Sequence, residues 1–255
     1  MYGNQRGGFI SRIPPVTKNL IIINVLIWAV EAIVKGFSVT IPKVLGLHLI
    51  TATNFNPIQI ITYLFVHEPT NPWHLVFNMF ALWMFGSVLE RLWGSKRYLV
   101  FYFVCGIGAA IIQEIVWYAT MRHDIISALA KMNGYTFDSM APIIDQAVRE
   151  GDARVMQFIA QYKNSLITIG ASGAVYGLFL GYAFVFPNQP LYFFFIPFPI
   201  KAKYMMIGYG LVEFVLGLKA SDSIAHFAHL GGMLFGILIL LYWRKKGTLR
   251  GDSFY

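Results

Sequence analysis

Hydrophobic residues in this chain gather into long blocks, with polar residues confined to the gaps between them. Six blocks stand out: Asn19–Val34, Trp73–Leu89, Tyr98–Tyr118, Leu166–Phe186, Lys203–Leu218 and Ile224–Trp243. Crossing the hydrocarbon of a bilayer takes about 20 mostly apolar residues at about 1.5 Å of helix rise each, with about 17 as the short end. Four blocks meet that length, and the first and fifth meet it by borrowing flanking residues. The pattern predicts an all-α polytopic membrane protein with six transmembrane helices. Residues 19–243 form its membrane domain, between an N-terminal tail (1–18) and a C-terminal tail (244–255).

The gaps have characters of their own. Gly36–Pro72 is too apolar for a freely solvated loop, and its Pro57–Val66 stretch is expected to pack on the helices, because backbone at membrane depth survives only when buried in protein or facing a wet cavity. Pro187–Ile200 holds a Phe/Tyr/Pro cluster suited to the membrane–water boundary, and its prolines argue against a continuous helix. Met121–Ser165 is the one polar stretch of domain-like length. Ile144 and Val148, then Val155, Phe158, Ile159 and Tyr162, recur at helical spacing, so it reads as a helical insertion on the outer face between spans 3 and 4. Its expected role is either surface ornament or a substrate-selecting cover.

Composition supports the membrane reading. Charged residues make up 13% of the chain, against about 25% in soluble domains. The net charge of +8 would suit a nucleic-acid partner were it not so unevenly placed. Arg6, Arg12, Lys18, Arg91, Lys96, Arg97, Lys201, Lys203, Arg244, Lys245, Lys246 and Arg250 all fall on one side of the predicted topology. The positive-inside rule then puts both termini in the cytoplasm of a bacterial-type inner membrane, with the lipid bilayer and no nucleic acid as partner. Cys105 is the only cysteine, so no disulfide framework, thiolate catalysis or cysteine metal cluster is expected.

Ionisable and polar groups inside spans are costly and tend to face a cavity or a partner. Ser172 lies six residues into span 4, about 9 Å deep, and His229 five residues into span 6, about 7.5 Å deep. His74 and Asn78 lie near the start of span 2. All three spans enter from the outside, so the four residues share one outer layer. Ser and His are the minimum for nucleophilic acyl transfer, the imidazole taking the hydroxyl proton and returning it to the leaving amine. Gly170-Ala171-Ser172-Gly173 offers backbone N–H groups for an oxyanion, and His74 and Asn78, four apart on one helix face, offer side-chain donors. Tyr176, one turn from Ser172, is placed to stack on the imidazole. No acid completes a triad: Asp222 is about 10.5 Å from His229 along an ideal helix, and Glu213 has no evident claim on it.

Plainer readings exist for each part. Gly173, Gly177 and Gly181, like Gly232 and Gly236, form small-xxx-small ladders that serve helix packing generally. His48, His67 and His226 read as interfacial or hydrogen-bonded histidines. The His226–His229 spacing invites a metal, but the His-Glu-x-x-His pattern is absent and no metal or cofactor is expected.

Taken in order, His74-Leu-Val-Phe-Asn78, Gly170-Ala-Ser-Gly173 with Tyr176, and Ala228-His229-x-x-Gly232-x-x-x-Gly236 resemble the rhomboid intramembrane serine proteases with the six-helix bacterial type of core. Glu90-Arg-Leu-Trp-Gly94-Ser95 and Pro199–Tyr204 are lesser matches. The resemblance implies Ser172 as nucleophile, His229 as general base, His74, Asn78 and the Ser172 amide as oxyanion donors, Tyr176 packed on the histidine, and Gly232 and Gly236 as close-approach positions. It implies cleavage of single-span transmembrane protein substrates near the outer surface. A catalytically silent member that binds or escorts membrane clients is the alternative. The family's frequent Trp-Arg pair in the first outer loop is replaced by Ile58-Gln59, which puts that loop's anchoring in question. The insertion 121–165 lies beyond the family pattern.

Overall fold

The computed structural model describes residues 12–34, 40–193, 196–219 and 226–248. Among them, four helices are long and apolar enough to cross a membrane: α1 (Pro15–Val34), the run Pro72–Trp93, α6 (Ser95–Asn133) and α11 (His226–Lys245). The Pro72–Trp93 run comprises α4 (Pro72–Ala81), a π-helical turn (Leu82–Gly86) and α5 (Ser87–Trp93). The remaining two expected spans become α9 (Ser172–Val185), only 14 residues long, and α10 (Ala202–Lys219), of 18. Large apolar side chains face outward on α1, α10 and α11, as with Ile33, Leu26, Leu211 and Leu238. A bilayer covers such surface; water would not.

α9 is the central helix. Its glycine ladder lets α11 approach to backbone contact and makes room for side chains of α6: a Cβ on Gly232 would collide with the Gly173 carbonyl, and one on Gly177 with the Cys105 side chain. Cys105 is thus a helix-facing packing residue, wholly buried beside Phe101 and Tyr102. At the opposite end, Glu90 on α5 ties the starts of α1 and α6 together. It accepts from the Val16 and Thr17 N–H groups at 2.9 and 2.7 Å, satisfying donors that the start of α1 leaves open. The Thr17 and Ser95 hydroxyls donate to the same carboxylate at 2.8 and 2.6 Å. This explains the Glu90…Ser95 segment.

The segment between α1 and α4, the expected outer loop, folds onto the helices through α2 (Ile41–Leu45), strand β1 (Leu47–His48), α3 (Gln59–Thr62) and a 3-10 turn at Tyr63–Phe65. Its anchor is Gln59, almost fully buried. The Gln59 amide donates to the Val44 and Asn54 carbonyls at 3.0 and 3.2 Å and accepts from the Asn56 and His48 N–H groups at 3.1 and 3.4 Å. Gln59 therefore supplies the anchoring that the Ile58-Gln59 substitution had put in question.

One prediction about helices needs correction. The apolar run from Leu166 is not helical throughout: β2 (Ile167–Thr168) pairs antiparallel with β1, and the helix starts only at Ser172. Pro187–Ile200 is not a continuous helix, as its prolines argue, and contributes to an antiparallel hairpin of β3 (Pro190–Phe193) and β4 (Ile196–Lys201). In the polar insertion, α6 continues without a break to Asn133 before α7 (Phe137–Glu150) and α8 (Ala153–Ser165) follow. Met140 and Ile144 of α7 bury against Ile126 and Ala130 on that extension. Asn164 of α8 accepts from Thr53 N at 2.9 Å, which fastens the insertion to the outer loop.

Candidate active site

Ser172 heads α9, where the first backbone N–H groups have no partner within the helix and the helix dipole favours negative charge. The chain reaches that point through Gly170 at φ +121°, a conformation that side chains with a Cβ rarely adopt. Two contacts from the outer loop hold the turn. The Gly170 N–H donates to the Tyr63 carbonyl at 3.0 Å, and the Ala171 N–H approaches His67 Nε2 at 3.5 Å. Burial, with His74 beside it, pushes the His67 pKa down to about 3, so the ring meets Ala171 as a neutral acceptor. With the Gly170 and Ala171 N–H groups committed in this way, the expected Ser172 amide and its neighbour Gly173, at the helix start, are the two of the segment left to face an oxyanion.

His229, almost fully buried on α11, places Nε2 2.7 Å from the Ser172 hydroxyl oxygen. Tyr176 lies over its imidazole, with ring centroids 4.3 Å apart and planes 7° from parallel, as the sequence predicts. Gly173 and Gly232 are the positions that bring the two helices this close. Gly236 continues the contact, since a Cβ there would lie 3.5 Å from the Gly177 Cα.

His74 stands across the turn that leads into Ser172. Its Nδ1 accepts from the Glu68 N–H at 3.3 Å, which leaves Nε2 as the protonated nitrogen of a neutral ring. That Nε2 borders the same small space as the Ser172 hydroxyl: a Cβ built on Gly170 would sit 2.9 Å from it and 3.7 Å from the Ser172 Oγ. The arrangement sets an N–H donor beside the hydroxyl. Asn78 occupies the same face of α4 one turn on, but its Nδ2 donates to the His74 carbonyl at 2.8 Å. An oxyanion contact from Asn78 would have to use its other amide hydrogen.

The clearest residue missed is Glu213. Its carboxylate accepts from the Tyr176 hydroxyl, lies 2.7 Å from His226 Nδ1, and approaches His229 Nδ1 at 3.0 Å. Glu213 therefore does have a geometric claim on the histidine, contrary to the reading of the sequence. A signal was present: Glu213 is the only acidic residue in Lys203–Leu218, and an ionisable group in such a stretch marks a functional site by default. Asp222 falls outside the described residues. Glu213, His226 and His229 also present ligand atoms within 4.8 Å of one another, a donor set that a divalent ion such as zinc accepts. Both imidazoles approach a single carboxylate oxygen, His226 Nδ1 within a hydrogen bond at 2.7 Å and His229 Nδ1 at 3.0 Å without hydrogen-bond alignment.

A hydroxyl at a helix start, a histidine in contact with it and N–H donors beside it are the groups that acyl transfer requires. Comparison with known proteins shows the family. The model of the Rhomboid domain matches residues 54–130 and 151–246. The unmatched stretch between them contains the whole of α7. Rhomboid protein 1, mitochondrial, of Saccharomyces cerevisiae is 24% identical over 188 residues, covering 74% of this chain and 42% of the relative. An uncharacterized mitochondrial rhomboid protein of Schizosaccharomyces pombe is 26% identical over 211 residues, covering 73% of this chain and 52% of the relative. The chain thus spans about half the length of these curated relatives. Their names place them in mitochondria and lend nothing to the expectation of a bacterial membrane. With its helices, its glycine contacts and its matched residues all in agreement, the chain belongs to the rhomboid family.

Proposed function

We propose that the protein is an intramembrane serine endopeptidase that cleaves single-span transmembrane proteins near the outer membrane surface. The observation that carries this reading is the 2.7 Å approach of His229 Nε2 to the Ser172 hydroxyl. The imidazole accepts the hydroxyl proton as Oγ attacks the scissile carbonyl. The oxyanion meets the Ser172 and Gly173 N–H groups and His74 Nε2, with Asn78 one turn further along α4. The proton then passes from Nε2 to the leaving amine, and water hydrolyses the acyl-enzyme by the same route in reverse. We place the active site on the extracytoplasmic side, opposite the basic loops, with both termini on the basic side of a bacterial-type cytoplasmic membrane.

The test is covalent. A fluorophosphonate added to the purified full chain is expected to modify Ser172, as mapped by peptide mass spectrometry, and His229→Ala is expected to suppress the reaction. Modification of other serines with Ser172 untouched would remove the nucleophile from the proposal.

A further inference from the structure

Between Tyr204 and Leu218 the sequence of α10 carries a single charged side chain, Glu213, and that side chain is 8% exposed. A carboxylate withdrawn from water costs several kcal/mol unless partners surround it, so its retention calls for a reason. Its surroundings are specific. One oxygen accepts from the Tyr176 hydroxyl on α9. The other lies 2.7 Å from His226 Nδ1 and 3.0 Å from His229 Nδ1, both on α11. His229 is therefore held from two sides, by the Ser172 hydroxyl at Nε2 and by a carboxylate at Nδ1.

That placement answers a requirement of the chemistry. A histidine can take the serine proton only if Nε2 presents its lone pair, which requires the neutral ring to carry its hydrogen on Nδ1. A negative oxygen facing Nδ1 selects that tautomer. It also faces the positive charge that the ring acquires when the hydroxyl proton arrives. The Glu213–His229 approach is close enough to pair as charges, but it is not a straight hydrogen bond, and Nδ1 has no aligned partner. Catalytic contacts of this kind commonly tighten only once substrate is bound.

We propose that Glu213 is the third member of the catalytic group, a positioning residue that orients His229 and balances its charge, with His226 and Tyr176 holding the carboxylate in place. The proposal rests on the reading of Ser172 as nucleophile. In the acylation step the Ser172 oxygen bonds to the scissile carbonyl carbon, and the hydroxyl proton moves to His229 Nε2. The carbonyl π-electrons move onto oxygen, and the resulting imidazolium keeps its Nδ1 hydrogen directed at the Glu213 carboxylate. No proton is transferred to Glu213.

The experiment compares wild type, Glu213→Gln and Glu213→Asp as full chains in detergent or proteoliposomes. It measures the rate of Ser172 phosphonylation, kcat and KM on a model single-span substrate, and the melting temperature. Glu213→Gln is expected to lower the phosphonylation rate and kcat by about 10²-fold, within the range that general acid–base groups contribute, while KM stays within about twofold. Glu213→Asp is expected to recover part of that loss. A Gln variant as fast as wild type would overturn the proposal, as would losses in both variants that track a raised KM and a lowered melting temperature. Wild type provides a check that does not depend on any variant folding. After phosphonylation, a histidine-labelled sample should show a strongly downfield, slowly exchanging Nδ1 proton on His229, and its absence would also count against the assignment. A wild-type protein that neither labels nor cleaves would bring down the protease reading itself, and this proposal with it.

Discussion

Gly232→Ala tests the contact that sets the active-site distance. A Cβ on Gly232 would run into the backbone carbonyl of Gly173, which has no rotamer by which to move aside. Cβ atoms essentially never come within 3.0 Å of such a neighbour, so α11 must back away from α9. A separation of about 1 Å is the least that restores packing distances. His229 sits one turn before Gly232 on the same helix, and Ser172 immediately precedes Gly173. The displacement is therefore carried into the hydrogen bond, stretching it from 2.7 Å to beyond about 3.5 Å, where it no longer holds. Misplacement on this scale costs about 10²-fold in rate, and overpacking costs about 1–3 kcal/mol in stability. The assay is the rate of fluorophosphonate labelling at Ser172 together with the thermal midpoint. Gly208→Ala serves as control, because a Cβ there meets nothing within 4 Å. A Gly232→Ala protein that labels and melts like wild type would refute the reasoning.

Three further outcomes follow from the packing. Gln59→Leu leaves the Val44 and Asn54 carbonyls and the Asn56 N–H without their partner, and each buried group so abandoned costs about 1–3 kcal/mol; a melt unchanged from wild type would show that the outer loop is anchored elsewhere. Glu90→Gln turns an acceptor toward the start of α1 into a donor facing other donors, so a loss of at least about 1.5 kcal/mol is expected in denaturant titration. His67 has a folded pKa near 3 against an ordinary 6.5, so between those values the unfolded chain takes up a proton that the folded chain refuses. Stability therefore falls as pH drops through that window, by up to about 1.4 kcal/mol per unit from this one group, and His67→Gln should flatten the slope measured by pH-dependent unfolding.

The residues most legible in the sequence were those whose polarity conflicts with an apolar block. Ser172, His229, His74 and Tyr176 stood out in this way, and the structure brings them together. Glu213 was just as conspicuous, yet its part in the site was misjudged, because its partners lie on α9 and α11. Separation along one helix is readable from spacing, whereas the direction in which a side chain points across three packed helices is not. The stretch before Ser172 failed for another reason. An apolar run has the same composition whether helical or extended, and here the outcome was decided by pairing with Leu47–His48, about 120 residues away. Gln59 was noticed only as a departure from the family pattern. Its role depends on where the Val44 and Asn54 carbonyls fall after folding, which no periodicity encodes.

The central claim is that Ser172 is the nucleophile of a protease that works within the membrane. Its most direct test is a proteoliposome assay in which the full chain, wild type or Ser172→Ala, is reconstituted with a tagged single-span substrate and the products are followed by gel and mass spectrometry. The account predicts cleavage at one peptide bond near the membrane surface by wild type and none by Ser172→Ala. Equal cleavage by both proteins, or by neither across a broad set of single-span substrates, would contradict it.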